Sequence, residues 1–318
     1  MRIFILLLGF WVAAASSAPL PATRHFIDDT QRDVVIPQQP LRILSLHDLD
    51  ITIPLLELGV MPIASHGRID AQGKPYLRSA KVLTGFDFSN TSIHYLGTAE
   101  INLEKIAQLH PDLIITEPSR SLDVQQLQNI APTVSLDNRL GGPVRLYQRL
   151  AELTHTQAKY QQLVNRYQAE IAELQRLRQG RTVTVSVLQA NNGKITVLHT
   201  YHALGQVLRD AGFSFPPLID QLPQEGRANL NAEQLPALDA DLVFDTWRGD
   251  GELSATDERK AMDAVLPGWC QFMRSCQQGH WIMVSREDAI VNSFASLSKM
   301  VAVVETSLAG LSLPSEQH

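Results

Sequence analysis

Two stretches of this chain repeat one another without a gap. Between residues 102–115 and 231–244, Asn102 aligns with Asn231, Glu104 with Glu233, Leu109 with Leu238, and Asp112-Leu113 with Asp241-Leu242. Each copy predicts a helix followed at once by a strand. The Asn can cap, the Glu falls in the first turn, apolar residues recur at helical spacing, and the Asp opens an unbroken apolar run of the kind a parallel sheet buries on both faces. A duplicated helix–strand unit constrains the molecule to two similar α/β lobes. Between two such lobes lies a cleft, where small molecules bind.

The rest of the chain extends this alternation. Residues 34–37 and 42–46 predict strands, and 51–58 a helix that stops at Gly59, a left-handed cap. A strand over 60–64, an irregular region over 65–98, a helix over 124–130 and a strand over 133–136 follow. From Pro143 to Gln179, Leu146, Leu150, Leu153, Tyr160, Leu163, Tyr167, Ile171, Leu174 and Leu177 keep helical spacing, with no Gly or Pro after Pro143 until Gly180. This predicts a long helix, broken near Thr154, that joins the lobes and resists wide hinge bending. The second lobe predicts strands over 182–188 and 194–198 around a turn at 191–193, a helix over 203–211, the second repeat copy, a strand over 280–284 and an apolar helix over 293–308. The expected fold class is α/β: two Rossmann-like lobes, residues 19–141 and 180–318, with mainly parallel sheets, a helical connector over 142–179 and a ligand cleft between the lobes.

Composition adds limits. The 318 residues are 44% hydrophobic, enough for two cores, and a net charge of −6 without a basic run argues against nucleic acid or an anionic membrane surface as partner. Residues 1–18 give a basic start, an apolar run shorter than the roughly 20 residues a span needs, and small residues suited to cleavage after Ala15 or Ala18. They read as a signal peptide, without a Cys for lipid attachment, and the periplasm is the expected compartment. In that oxidising setting Cys270 and Cys276 are expected to form a disulfide. A regular helix would hold their Cα atoms about 9 Å apart, too far to bridge, so the short helix after Pro267-Gly268 must break before Cys276.

Motifs for nucleophilic, zinc-dependent or phosphate chemistry are missing, so an enzyme is not expected; a periplasmic hydrolase or sensor is the rival reading. His199 and His202 find no further ligands at recognisable spacing, so no metal ligated by the protein and no directly bound cofactor is expected. The stronger signal is arginine. Carboxyl ends of strands in a doubly wound sheet face the cleft, and Arg68, Arg120, Arg139, Arg248 and Arg286 each follow a predicted strand. The guanidinium fork suits carboxylate ligands. His47 and Asp48 end the first strand of the lobe, Trp247, Tyr201 and His202 are candidates to pack against a ligand, and Trp281 reads as core.

In this order and spacing, residues 42–46 ahead of a helix ending at Leu58-Gly59-Val60, residues 102–115, 130–134 and 269–284 carry a resemblance over almost the whole mature chain. The chain resembles the periplasmic binding proteins that serve ABC importers of iron–siderophore complexes and cobalamin, the class with a rigid helical connector. Within that family it is most similar to ferric dicitrate binding proteins, through Pro118-Ser119-Arg120, residues 126–132 and residues 198–200. Hydroxamate-siderophore binders carry an arginine where this chain has Gly97-Thr98. The resemblance implies a monomeric carrier that captures a ferric siderophore, an anionic chelate of citrate or α-hydroxycarboxylate type, and delivers it to an inner-membrane ABC permease. Iron would arrive wrapped by its chelator. Asp123 and Glu252 match the acidic residues that pair with permease arginines in the family. Hydroxamate siderophores, cobalamin, and haem ligated by Tyr201 or His202 are the alternative cargoes; the arginines at strand ends favour the anionic chelate.

Overall fold

The computed structural model of the chain describes residues 22–98, 100, 102–118, 123–224, 226–248 and 253–311. The expected leader over 1–18, Arg120 and Glu252 lie outside the described residues. A hairpin of β1 (Thr23–Ile27) and β2 (Asp33–Pro37) leads into the first lobe. Its sheet is built from β3 (Ile43–Ser45), β4 (Ala64–Ser65), β7 (His94–Tyr95), β8 (Leu113–Thr116) and β9 (Thr133–Ser135), with a small hairpin of β5 (Arg68–Ile69) and β6 (Pro75–Tyr76) inserted after β4. The order is β7-β4-β3-β8-β9, and every pair is parallel. All four residues of β8 are buried, as an unbroken apolar run in a doubly covered sheet requires.

Helices α1 (Ile53–Glu57), α2 (Ala80–Thr84), α3 (Leu103–Gln108) and α4 (Val124–Gln128) belong to this lobe. Gly59 closes α1 at φ +83°, the left-handed conformation its sequence position predicts. Asn102 caps α3 by accepting from the Lys105 N–H at 3.0 Å. The strand expected over 60–64 contributes only Ala64 to a strand, since Pro62 has no N–H to give a ladder.

The connector is two helices, α5 (Gly142–Thr154) and α6 (Gln157–Arg178), parted where His155 turns to φ +56° beside the expected break. The second lobe has β10 (Val185–Asn191), β11 (Lys194–Leu198), β12 (Arg227–Leu230), β13 (Leu242–Trp247) and β14 (Trp281–Ser285), in the order β12-β11-β10-β13-β14. The lobe sheets are mainly parallel, as expected, with one antiparallel arm: β10-β13-β14 is parallel and β10-β11-β12 is an antiparallel meander. The cause is local. Asn192 and Gly193 both take positive φ, +51° and +70°, the two-residue turn that Asn-Gly favours and that folds β11 straight back on β10.

Helices α7 (His202–Asp210), α8 (Pro217–Asp220), α9 (Ala255–Val265), α10 (Arg274–Gln277), α11 (Arg286–Ala289) and α12 (Phe294–Ala309) complete this lobe. The second repeat copy differs from the first in one respect: residues Ala232–Leu238 form a 3-10 helix, with Pro236 inside it. Proline removes an N–H and cannot extend a regular α-helix. The short helix Trp269–Phe272 also ends where required. Met273 is extended, α10 restarts after it, and Cys270 and Cys276 come within 5.3 Å at Cα to form the disulfide.

The final helix does not stay in its own lobe. Phe294 is fully buried, edge-on to Tyr147 of α5 at 4.8 Å and to Tyr167 of α6 at 6.2 Å between ring centroids. Glu57 of α1 accepts from the Tyr147 hydroxyl and from the first two N–H groups of α12, Phe294 at 3.1 Å and Ala295 at 2.7 Å. One apolar core therefore runs from Ile43 and Leu113 through the connector to Val185 and Phe244. Among the described residues no helix is long and apolar enough to cross a membrane.

Candidate functional site

The first wall of the cleft is set by the residues that follow β3. His47 caps a five-residue π turn, Asp48–Thr52: its carbonyl accepts from Thr52 N–H at 2.9 Å and its Nδ1 lies 3.0 Å from the Asp50 N–H. The wider turn sends two aspartates different ways. Asp48 is 1% exposed and is gripped by Arg78, with Nε at 2.8 Å and Nη2 on the other oxygen. Burial alone would raise the Asp48 pKa, but the Arg78 hydrogen bond and charge outweigh it and hold the carboxyl below its ordinary range. Asp50 faces His47, which likewise overcomes the effect of burial and keeps its carboxyl below the ordinary value. Glu117, one residue past β8, brings Oε1 to 3.5 Å from His47 Nε2. Arg68, half-buried at the start of β5, adds its field at Asp48 and pairs with no carboxylate among the described residues.

The second lobe faces this wall directly. Asn292 Nδ2 donates across the cleft to Asp50 Oδ1 at 3.3 Å. His202 opens α7 at φ +44°, a conformation that costs a non-glycine residue roughly 1 kcal/mol or more and that clusters at functional sites. Burial pushes the His202 pKa down; Asp50 opposes that shift and Arg286 reinforces it. Arg286, half-buried just past β14, lies beside the Tyr201 hydroxyl and pairs with no carboxylate among the described residues.

The structure thus links His47, Asp50, Arg78 and Glu117 of the first lobe with His202 and Asn292 of the second, with Arg68 acting on Asp48 and Arg286 beside Tyr201. Arg139 borders a neighbouring pocket between the lobes with Pro143, Leu198, His202, Gln206 and Asn292, where it is exposed and forked onto Asp137. Arg248 is exposed and lines a separate pocket of the second lobe with Gln189, Asn191 and Glu258. Trp247 is half-buried at the end of β13. Tyr201 is 3% exposed with its hydroxyl 2.7 Å from Thr246 Oγ1, so its ring is a core element, not an open platform for a ligand. Trp281 is core as expected, its Nε1–H donating to Asp245 Oδ2 at 3.0 Å. Asp123 is exposed and caps α4 by accepting from the Gln125 N–H at 2.9 Å. Sequence spacing gave no sign of Asp50, Arg78 or Asn292, whereas Glu117 was open to the strand-end argument used for the arginines.

Chemically, each lobe offers a guanidinium group without a carboxylate partner among the described residues, Arg68 and Arg286, while Asp48 is already neutralised by Arg78. That arrangement suits an anionic ligand with several carboxylate oxygens. Comparison with known proteins identifies the family. A family model described as periplasmic binding protein matches residues 78–267. The Fe(3+)-citrate-binding protein YfmC of Bacillus subtilis is 25% identical over 271 residues, covering 77% of this chain and 80% of that relative. The iron(3+)-hydroxamate-binding protein FhuD of the same organism is 26% identical over 181 residues, 52% of this chain and 56% of its own length. Among solved structures, Staphylococcus aureus SirA complexed with staphyloferrin B superposes with a TM-score of 0.73 over 90% of this chain and 99% of its own; at 18% identity the likeness is one of fold.

Proposed function

Because this chain belongs to the periplasmic binding protein family, whose members bind substrates and are not enzymes, we propose that it captures an anionic ferric siderophore of citrate or α-hydroxycarboxylate type for an inner-membrane ABC importer. The reading rests on Arg68, whose charge acts at Asp48 in the first lobe, and Arg286, whose charge acts at His202 in the second, neither paired with a carboxylate among the described residues. A chelate whose carboxylate oxygens meet both forks draws the lobes together, and charge-assisted bonds of this kind contribute roughly 1.5–3 kcal/mol each. Ferric hydroxamates lack those free carboxylates and would leave both arginines unmatched. The ferric citrate carrier among the relatives supports the same cargo class. The iron is cargo held by its chelator. In this reading residues 1–18 direct export to the periplasm, the carrier works as a monomer, and Asp123 and Glu252 supply the acidic groups that pair with permease arginines.

The test is tryptophan quenching on titration with ferric citrate, a ferric carboxylate siderophore, ferrioxamine, haem and cobalamin. Saturable sub-micromolar binding of the carboxylate complexes is expected, weakened about tenfold to a hundredfold by Arg286→Ala or Arg68→Ala. Response only to ferrioxamine, haem or cobalamin would keep the carrier role and discard the arginine argument.

A further inference from the structure

We infer that the first lobe carries a transition-metal site of its own, built from His47, Asp50 and Glu117. One donor atom from each lies within 4.8 Å of the others, and the three side chains are only 12%, 12% and 8% exposed. The spacing of one pair fits a shared ion. Two donors about 2.1 Å from one ion at a tetrahedral angle stand about 3.4 Å apart, and His47 Nε2 lies 3.5 Å from Glu117 Oε1. A hydrogen bond between the same atoms would draw them to about 2.7–3.2 Å.

The other face of the ring supports this use. Nδ1 lies 3.0 Å from Asp50 Oδ2 and 3.0 Å from the Asp50 N–H, so the imidazole has a choice of tautomer. The tautomer with its proton on Nδ1 leaves the Nε2 lone pair, on the Glu117 side, open to an ion. Asp50 is fixed in turn by Asn292 at 3.3 Å. The donors therefore sit on a buried π turn and a strand end, pre-arranged by the fold. One imidazole and two carboxylates suit first-row divalent ions such as zinc, cobalt, iron or manganese over soft copper(I). Three protein donors leave a further position for water or a ligand oxygen. The site takes a free ion without a chelator, so it goes beyond the siderophore reading and stands or falls separately from it.

Cobalt(II) reports such coordination by its visible d–d absorption. The untagged protein, titrated with cobalt(II) chloride in chelator-free buffer, should give a saturable spectrum that zinc(II) abolishes. His47→Ala and Glu117→Gln should each weaken cobalt binding at least about tenfold. His25→Ala, which removes an exposed imidazole paired with Asp33, should leave the spectrum intact. Far-UV circular dichroism confirms folding, and His47→Gln replaces the alanine variant should that fail to fold. No saturable d–d absorption, or an unchanged spectrum in a folded His47 variant, overturns the site. Cobalt binding without siderophore quenching in the same samples would uphold the site and reject only the cargo.

Discussion

Replacing Arg78 by methionine separates the charge of the cleft's buried ion pair from its bulk. Arg78 forks onto Asp48, whose side chain is 2% exposed. Methionine keeps much of the aliphatic stem and removes the charge. Asp48 must then either remain ionised without a partner, at a cost of about 3–5 kcal/mol for a buried pair that loses one member, or take up a proton. Protonation caps the loss, since keeping a carboxyl of ordinary pKa near 3.9 neutral at pH 7 costs about 4 kcal/mol. We expect Arg78→Met to lose about 3–4 kcal/mol at neutral pH. The sign of the pH dependence follows from the lowered Asp48 pKa. A group depressed in the folded state contributes stability above its unfolded pKa and loses it as pH falls through the folded value. The gap between wild type and variant should therefore narrow from neutrality and close below about pH 4. Urea unfolding followed by circular dichroism across this range reads the gap directly. A difference under about 1 kcal/mol at neutral pH, the value of an exposed pair, or one that does not change with pH, would refute the reasoning.

Three further perturbations address other parts of the fold. Phe294→Ala should cost about 3–5 kcal/mol in chemical denaturation, because the ring is fully buried between two tyrosines; a loss under about 1 kcal/mol would contradict that. Replacing both Cys270 and Cys276 by serine should cost about 2 kcal/mol, the loop-closure value for a short ring; equal melting of wild type and double variant would argue against it. Burial, reinforced by the charge of Glu258, pushes the Asp245 carboxyl well above its ordinary range. Its contribution is complete below the unfolded pKa and drains away as pH rises toward the folded one. Asp245→Asn should flatten that decline, with Trp281 emission as the probe; an unchanged slope would show that another group is responsible.

What the chain disclosed in advance was whatever depends on near neighbours. The paired helix–strand units, the stop at Gly59, the break between α5 and α6, and the interruption that lets Cys270 reach Cys276 all follow from short-range spacing. The antiparallel arm of the second lobe was announced by Asn192-Gly193, yet the alternation of helices and strands outweighed it in the expectation. The site was less legible. His47, Arg68 and Arg286 were open to the argument that strand ends face the cleft of a doubly wound sheet. By contrast, Arg78 meets Asp48 across thirty residues and Asn292 meets Asp50 across 242, contacts that no local pattern encodes. Tyr201 shows the opposite difficulty: its position after a strand predicted a cleft residue, and its hydroxyl found Thr246 in the core.

The anchoring of α12 on α1 also bears on how the polypeptide is made. Glu57 finds two of its donors, and Tyr147 its aromatic neighbour, only in residues near the carboxyl end. A nascent chain that has reached residue 141 holds all the strands of the first lobe and still cannot satisfy the carboxylate or fill the space Phe294 takes. The first lobe therefore completes its packing only through contacts some 238 residues apart, which bear a large loop-closure cost.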